Sequence, residues 1–302
     1  MLVNEGATGC FLRCADLFLF LASTMRQLLQ CGRFSFRLEQ RPLVMGILNV
    51  TPDSFSDGGR YGTLEFAISK AEEMVADGVD LIDIGGESTR PGSPSVPVEE
   101  ELRRVMPAIY ALQGLGRALS VDTCKPQVMR EAIIAGADMI NDINGFRAPG
   151  AIDAVKESDC GLCVMHMQGT PQDMQAQPVY GDVVAEVTAF LRERIEALLA
   201  AGIERERICV DPGLGFGKTV EHNYALLRAT SRIEQELGLP VLIGLSRKSM
   251  IGAVTGRPVE GRLPGSIAGA LAAVAHGAKI LRVHDVAETV DALKVWRAAH
   301  GV

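Results

Sequence analysis

The chain has 302 residues, 47% of them hydrophobic and 22% charged, which suits one large α/β domain or two ordinary ones and excludes a disordered chain. Thirty basic against 37 acidic residues give a net charge of −7 without any long Lys/Arg run, so no nucleic-acid-binding face is expected. The seven cysteines are odd in number and scattered, the usage of a reducing cytoplasm and not of a disulfide-framed secreted domain.

Residues 1–40 read as an N-terminal extension, poorly ordered at its start. The apolar stretch 10–22 is interrupted by Arg13 and Asp16 and falls short of the roughly 20 residues that span a bilayer. Residues 1–9 hold Glu5 and no Lys or Arg, so the positive leader of a signal peptide is missing. No membrane association is expected.

From residue 41 to 302 the pattern is that of a single domain. Short apolar runs at 43–48, 79–84, 118–122, 138–141, 161–166, 207–211, 240–245 and 278–283 predict eight strands. Helical periodicity fills the intervals 63–77, 98–113, 125–135, 182–201, 221–237 and 266–276, and Gly202, Gly238 and Gly277 stand where helix C-termini want glycine. Eight strand–helix repeats without a linker predict one closed (β/α)8 TIM barrel. An open doubly wound sheet is the alternative, disfavoured because no Gly-x-Gly-x-x-Gly follows the first strand.

Catalytic loops of such a barrel leave the C-terminal ends of the strands, and every expected strand ends in polar residues. In chain order the ends carry Asn49, Gly-Gly-Glu-Ser-Thr-Arg, Asp122, Asn141, His166, Asp211, Ser246-Arg-Lys-Ser, and Arg282 with His284. The loops after the first two strands are rich in Gly, Pro and Ser and carry Asp57 and Arg90, the composition of lids over a barrel mouth.

Asp122, Asn141 and Asp211 are expected to converge on one half-buried pocket. A lone carboxylate at a strand end is more often a helix N-cap; three converging acceptors fit a hard metal, an acid–base pair or a ligand rich in N–H donors. Lys248 entering the same cavity favours the donor-rich ring. Arg90, Arg247, Lys248, Arg282 and His284 give the mouth a positive potential that suits an anionic ligand such as a phosphate ester. Arg282 and His284, two apart on a strand, share a face near a helix N-terminus and suit a diphosphate; a solvated strand end paired with Asp285 is the bland alternative.

Other patterns carry less. GLGFGKT from Gly213 has three residues, not four, between its relevant glycines, so it is no Walker loop. Cys160 and Cys163 have redox spacing but lie in or before a strand, as buried filler. Met165, Met167 and Met174 suit the wall of a flat-ligand pocket or plain packing. His166 is notable for its position alone.

Eight ordered strings between residues 43 and 286 resemble the dihydropteroate synthase family: MGILNVTPDSFSDGG from Met45, DIGGESTRPG from Asp83, SVDT from Ser120, INDI from Ile140, MHMQG from Met165, DPGLGFGK from Asp211, SRKSMIG from Ser246 and RVHDV from Arg282. The resemblance implies condensation of 6-hydroxymethyl-7,8-dihydropterin diphosphate with p-aminobenzoate, giving 7,8-dihydropteroate and diphosphate with Mg²⁺ as cofactor. Carried over, Asp122, Asn141, Ile143, Met165, Asp211 and Lys248 hold the pterin. Asn49, Arg282 and His284 hold the diphosphate, with Asn49 as the Mg²⁺ ligand, and Asp57 approaches the metal or the charge developing at the reacting carbon. Phe55, Thr89, Arg90, Pro91, Phe216 and Ser249 form the p-aminobenzoate site.

Asn49, Asp57, Lys248, Arg282 and His284 are the residues expected to act in catalysis, by SN1-like substitution without an enzyme nucleophile. The resemblance also implies a homodimer through late barrel helices and sensitivity to sulfonamides. Cys124 stands where relatives carry Ser and is given no role. A pterin-binding methyltransferase would lack the Arg282/His284 pair and the Thr89-Arg90-Pro91 loop, and a silent pterin-binding paralogue would show degraded lid motifs.

Overall fold

The computed structural model describes residues 28–51, 60–89 and 92–301. Two short strands come first, β1 (Leu28–Cys31) and β2 (Phe34–Arg37), paired antiparallel about a tight turn. Eight parallel strands follow: β3 (Leu43–Asn49), β4 (Leu81–Gly85), β5 (Ala118–Asp122), β6 (Met139–Asp142), β7 (Gly161–Met165), β8 (Ile208–Asp211), β9 (Leu242–Ile243) and β10 (Ile280–Val283). They pair in chain order, β10 returns to β3, and a parallel bridge from Val210 to Val241 joins β8 to β9, closing the barrel. The expected TIM barrel is the fold.

Ten α-helices surround it among the described residues: α1 (Arg60–Asp77), α2 (Val98–Leu112), α3 (Pro126–Ile134), α4 (Ala151–Val155), α5 (Val183–Ala200), α6 (Val220–Arg228), α7 (Thr230–Leu237), α8 (Ser249–Thr255), α9 (Leu263–Ala275) and α10 (Val286–His300). The periodicity over 221–237 read as one helix is two, broken at Ala229, and the expected strand 240–245 shrinks to Leu242–Ile243. Gly202, Gly238 and Gly277 take φ of +88°, +63° and +92°, the left-handed turn expected past helix ends. Asp182 caps α5 by accepting from the backbone N–H of Val184 and Ala185, both at 3.0 Å.

The period of two along each strand divides the apolar residues into two cores. Outward residues such as Val44, Ile82, Val121, Ile140, Val164 and Leu281 pack under the helices. Inward residues fill the lumen, and the lower layer is entirely apolar, built from Met45, Leu81, Ala118, Met139, Cys163, Cys209, Leu242 and Ile280. Leu29, Cys31 and Leu38 of the hairpin segment complete this layer and seal the barrel floor. Arg33 clamps the hairpin from outside, its guanidinium donating to both carboxylate oxygens of Asp138 at 2.9 and 2.8 Å.

Residues 28–38 therefore belong physically to the barrel domain drawn from residue 41. The expected disorder at the start of the extension concerns residues outside the described ones. Among the described residues no helix is long and apolar enough to cross a membrane.

Candidate active site

Above the apolar floor the inward positions become polar. Strand parity aims Asp83 from β4, Ser120 and Asp122 from β5, Asn141 from β6, Asp211 from β8 and Arg282 from β10 into the lumen, where Asp83 and Ser120 are fully buried and Asn141, Asp211 and Asp122 are 4, 4 and 7% exposed. Parallel pairing sets Asp122 beside Asn141, and Asp211 beside Met165.

Arg282 ties the layer together. Its Nε donates to Asp83 Oδ2 at 2.6 Å and its Nη2 to Asp122 Oδ2 at 2.8 Å, while Asn141 Nδ2 donates to the same Asp83 oxygen at 3.1 Å. The flanking carboxylates hold the guanidinium firmly protonated against the opposing effect of burial. Burial pushes the Asp122 carboxyl up, with Arg282 opposing and Asp83 reinforcing the rise. Asp83 Oδ1 and Ser120 Oγ, on register-paired residues, lack a hydrogen-bond partner among the described residues.

Lys248 comes from the turn after β9. Arg247, just before it, adopts φ +59°, a left-handed conformation uncommon outside glycine, and is held there by Ser266 Oγ on its N–H at 2.9 Å and Arg262 on its carbonyl at 3.0 Å. The Lys248 ammonium bonds the Leu214 carbonyl and lies 4.6 Å from the centre of the Phe216 ring. Burial pulls its pKa down to about 8, against the pull of Asp211. Asp211 is raised by burial and restrained by Lys248 and by the Gly213 N–H, which donates to it at 2.7 Å.

Beside this polar set stands an apolar wall of Ile143, Met165, Met167, Met174 and Phe216, with Cys124 packed against it. Burial lifts the Cys124 thiol to about 12, so it is not a thiolate near neutral pH.

The sequence-predicted residues thus separate. Asp122, Asn141, Asp211, Lys248 and Arg282 share the mouth, with Ile143, Met165 and Phe216 at its wall. Asn49, half-buried at the end of β3, faces the same lumen, its Oδ1 placed 3.2 Å from where a Cβ on Gly85 would stand. His284 is half-buried, with its N–H and Nδ1 on Ser246 Oγ at 3.2 and 3.1 Å, and burial together with Arg282 lowers its pKa to about 4, so the ring is neutral near pH 7. Thr89 is half-buried and Ser249 exposed at the first turn of α8. Phe55, Asp57, Arg90 and Pro91 lie outside the described residues.

The positive potential expected at the mouth from the sequence is modified by pairing. Arg282 is committed to two carboxylates, and the exposed Arg247 pairs with Asp285, the partner that the bland alternative gave to the Arg282-Val-His284 strand end. Cys160 and Cys163 are buried free thiols, as expected for filler. Lys218, the last residue of the loop that mimics a Walker sequence, is 3% exposed and hydrogen-bonded within the protein.

Sequence reasoning passed over Asp83. Its position within an apolar run, between Ile82 and Ile84, already placed it on the inward face; attention to the polar residues at the end of each run hid it.

A pterin-binding-enzyme family model matches residues 45–284. The dihydropteroate synthase of Haemophilus influenzae is 52% identical over 258 residues, covering 85% of this chain and 94% of that one. The chain belongs to the pterin-binding enzyme family, among the dihydropteroate synthases. The crystal structure of the Burkholderia cenocepacia dihydropteroate synthase complexed with 7,8-dihydropteroate superposes with a TM-score of 0.83 at 56% identity, covering 91% of this chain and 96% of that one. That of Xanthomonas albilineans dihydropteroate synthase with 4-aminobenzoic acid gives 0.86 at 53% identity, over 92% of this chain and all of the other.

Proposed function

We propose that this chain is a dihydropteroate synthase, joining 6-hydroxymethyl-7,8-dihydropterin diphosphate to p-aminobenzoate with release of diphosphate. The observation that carries the reading is the convergence of Asp122, Asn141, Asp211 and Lys248 in one buried pocket beside the flat wall of Met165 and Phe216. A pterin presents ring and amino N–H donors on one edge and a carbonyl on another. The two carboxylates and the Asn141 oxygen take the donors, and the amide and ammonium groups serve the acceptors.

The chemistry follows from where charge sits. Carboxylates on the donor edge of an electron-rich ring stabilise positive charge at its exocyclic methylene carbon, so the carbon–oxygen bond to diphosphate breaks ahead of attack by the neutral aromatic amine, whose nitrogen then gives up one proton to solvent. The cationic Arg282 and the neutral His284 receive the departing diphosphate: pterin takes over Asp122, which frees the outer nitrogen of Arg282, while Asp83 keeps its Nε. No protein nucleophile is required, consistent with the high pKa of Cys124.

Mg²⁺ fits the donor set: Asn49 offers one hard amide oxygen at the mouth, and a cation that keeps several waters and leans on substrate phosphates needs few protein ligands. When bound it supplies charge neutralisation of the leaving diphosphate. Phe216 and Ser249, with Thr89 and the lid residues, form the p-aminobenzoate side, where sulfonamides compete.

A second copy of the chain is proposed to cover the apolar cleft of about 670 Å³ between α9 and α10, lined by Leu271, Ala275, Val295, Trp296 and Ala299. Val295 is 70% exposed there, an apolar side chain natural for half of a homodimer interface. The five described cysteines, all free thiols, agree with a cytoplasmic setting.

The deciding assay is diphosphate release from the pterin diphosphate with and without p-aminobenzoate. Release that depends on p-aminobenzoate is expected, is competitively inhibited by a sulfonamide, and is abolished by Asp122→Asn. Release indifferent to p-aminobenzoate, or none at all, overturns the reading.

A further inference from the structure

The loop from β8 to α6 carries Phe216 over the mouth, and its path requires glycine: Gly213, Gly215 and Gly217 all adopt positive φ, at +71°, +83° and +62°. It also lies directly on the chain that leaves β7. A Cβ at Gly213 would fall 1.9 Å from the His166 carbonyl oxygen, and one at Gly217 would fall 2.5 Å from that of Gln168. Such a loop holds one conformation only if something fixes it, because glycine-rich backbone loses more entropy on ordering than any other.

Lys218 is placed to do this. Only 3% exposed, its ammonium lies 2.9 Å from the Phe216 carbonyl oxygen, 2.9 Å from His166 Nδ1 and 3.4 Å from the His166 carbonyl oxygen. It therefore bridges the glycine loop to the end of β7 with three acceptors, the full donor capacity of a lysine. His166 is oriented in turn by an edge-to-face contact with Phe190, and its ring is held neutral, so Nδ1 is free to accept. Other donors reach the loop further out, Tyr180 Oη to the Gly217 carbonyl at 2.8 Å and Gln175 Nε2 to the Gly215 carbonyl at 2.7 Å.

We propose that Lys218 is a positioning residue for the second substrate: it locks the β8–α6 loop onto His166 so that the Phe216 ring stays against Lys248 and the methionine wall, ready to pack on the aromatic amine. The inference rests on the proposed function, in which Phe216 faces p-aminobenzoate. Burial, reinforced by the Lys248 charge, pulls the Lys218 pKa down to about 7, and Asp211 opposes the fall.

The test compares the full-length enzyme with Lys218→Met, which keeps length and apolar volume but cannot donate, and with Tyr180→Phe, which removes one outer bond from the same loop. Both substrates are varied in steady-state kinetics, and thermal midpoints are recorded. Lys218→Met is expected to raise KM for p-aminobenzoate roughly tenfold or more, the equivalent of one hydrogen bond to a charged group, while KM for the pterin diphosphate moves less than threefold. Tyr180→Phe is expected to act in the same direction by about two- to threefold. A loosened but otherwise indifferent structure would lower kcat and the melting point without separating the two KM values. The proposal is overturned if Lys218→Met leaves KM for p-aminobenzoate within twofold of wild type or raises both KM values alike. Should Lys218→Met fail to fold, an unchanged KM in Tyr180→Phe overturns it. A wild-type enzyme without p-aminobenzoate-dependent diphosphate release would instead retire the functional reading itself.

Discussion

Asp83→Asn is the substitution that most directly probes the buried polar layer. Asp83 is fully buried and its Oδ2 takes two donors, Arg282 Nε at 2.6 Å and Asn141 Nδ2 at 3.1 Å. The amide preserves shape but removes the charge and places an NH2 group in a lumen that already holds Arg282 and Asn141 donors. Removing one member of a buried ion pair costs about 3–5 kcal/mol, and because Arg282 keeps Asp122 at 2.8 Å the lower end, about 3 kcal/mol, applies here. With the unfolding entropy of a chain of this size, that loss lowers the thermal midpoint by about 5 °C. Arg282, left with Asp122 alone, also competes with the pterin for that carboxylate, so KM for the pterin diphosphate rises. Asp122→Asn should show the opposite balance, because Arg282 retains its deeper partner: a smaller loss of stability and a larger loss of pterin affinity. Thermal melts and pterin titrations of both variants decide the matter. An Asp83→Asn midpoint within 1 °C of wild type (about 0.6 kcal/mol), or an Asp122→Asn protein that melts below it, would refute the reasoning.

Three further outcomes are expected of the same structure. Cys124→Ser should keep kcat and both KM values within about twofold, and iodoacetamide at pH 7.5 should leave activity intact, because a thiol raised to about 12 is neither nucleophile nor ready target. His166 has its pKa lowered from 6.5 to about 3 by burial and by Lys218, so the fold prefers the neutral ring; its contribution is complete above pH 6.5 and is lost as pH falls toward 3. Thermal midpoints of His166→Gln measured from pH 7 to 4 should accordingly fall less steeply than those of wild type, and an equal slope would count against the assignment. Leu29→Ala, in the barrel floor with no exposed surface, should cost about 2–5 kcal/mol in denaturant unfolding and leave KM for both substrates unchanged.

Much of this was legible in the sequence because a parallel barrel writes its layout into strand parity. Apolar runs ending in Asn49, Asp122, Asn141, Asp211 and Arg282 predicted both the fold and a shared mouth, and the geometry brings those residues to one lumen. The features that stayed hidden depend on contacts between distant segments. Asp83 was readable from its inward parity, yet its pairing with Arg282 spans 199 residues. The hairpin over 28–37 has too few residues for a strong local pattern, and its apolar side chains acquire meaning only under the barrel floor. The Lys218 ammonium sits in a string that imitates a phosphate loop, and only the approach of His166, 52 residues earlier, shows its purpose. The break at Ala229 is similar, since continuous helical periodicity does not reveal that the chain turns there.

The sealed floor bears on molecular traffic. With Leu29, Cys31, Leu38 and Met45 at 0–2% exposure beneath the polar layer, the described residues leave no passage through the barrel's lower end. In the proposed reaction, a heterocycle seated on the polar layer would have to enter before a co-reactant placed above it, and the joined molecule would leave by the upper end. A compound wedged in the outer half of the passage therefore blocks arrivals and departures alike, without reaching the charged groups at the bottom.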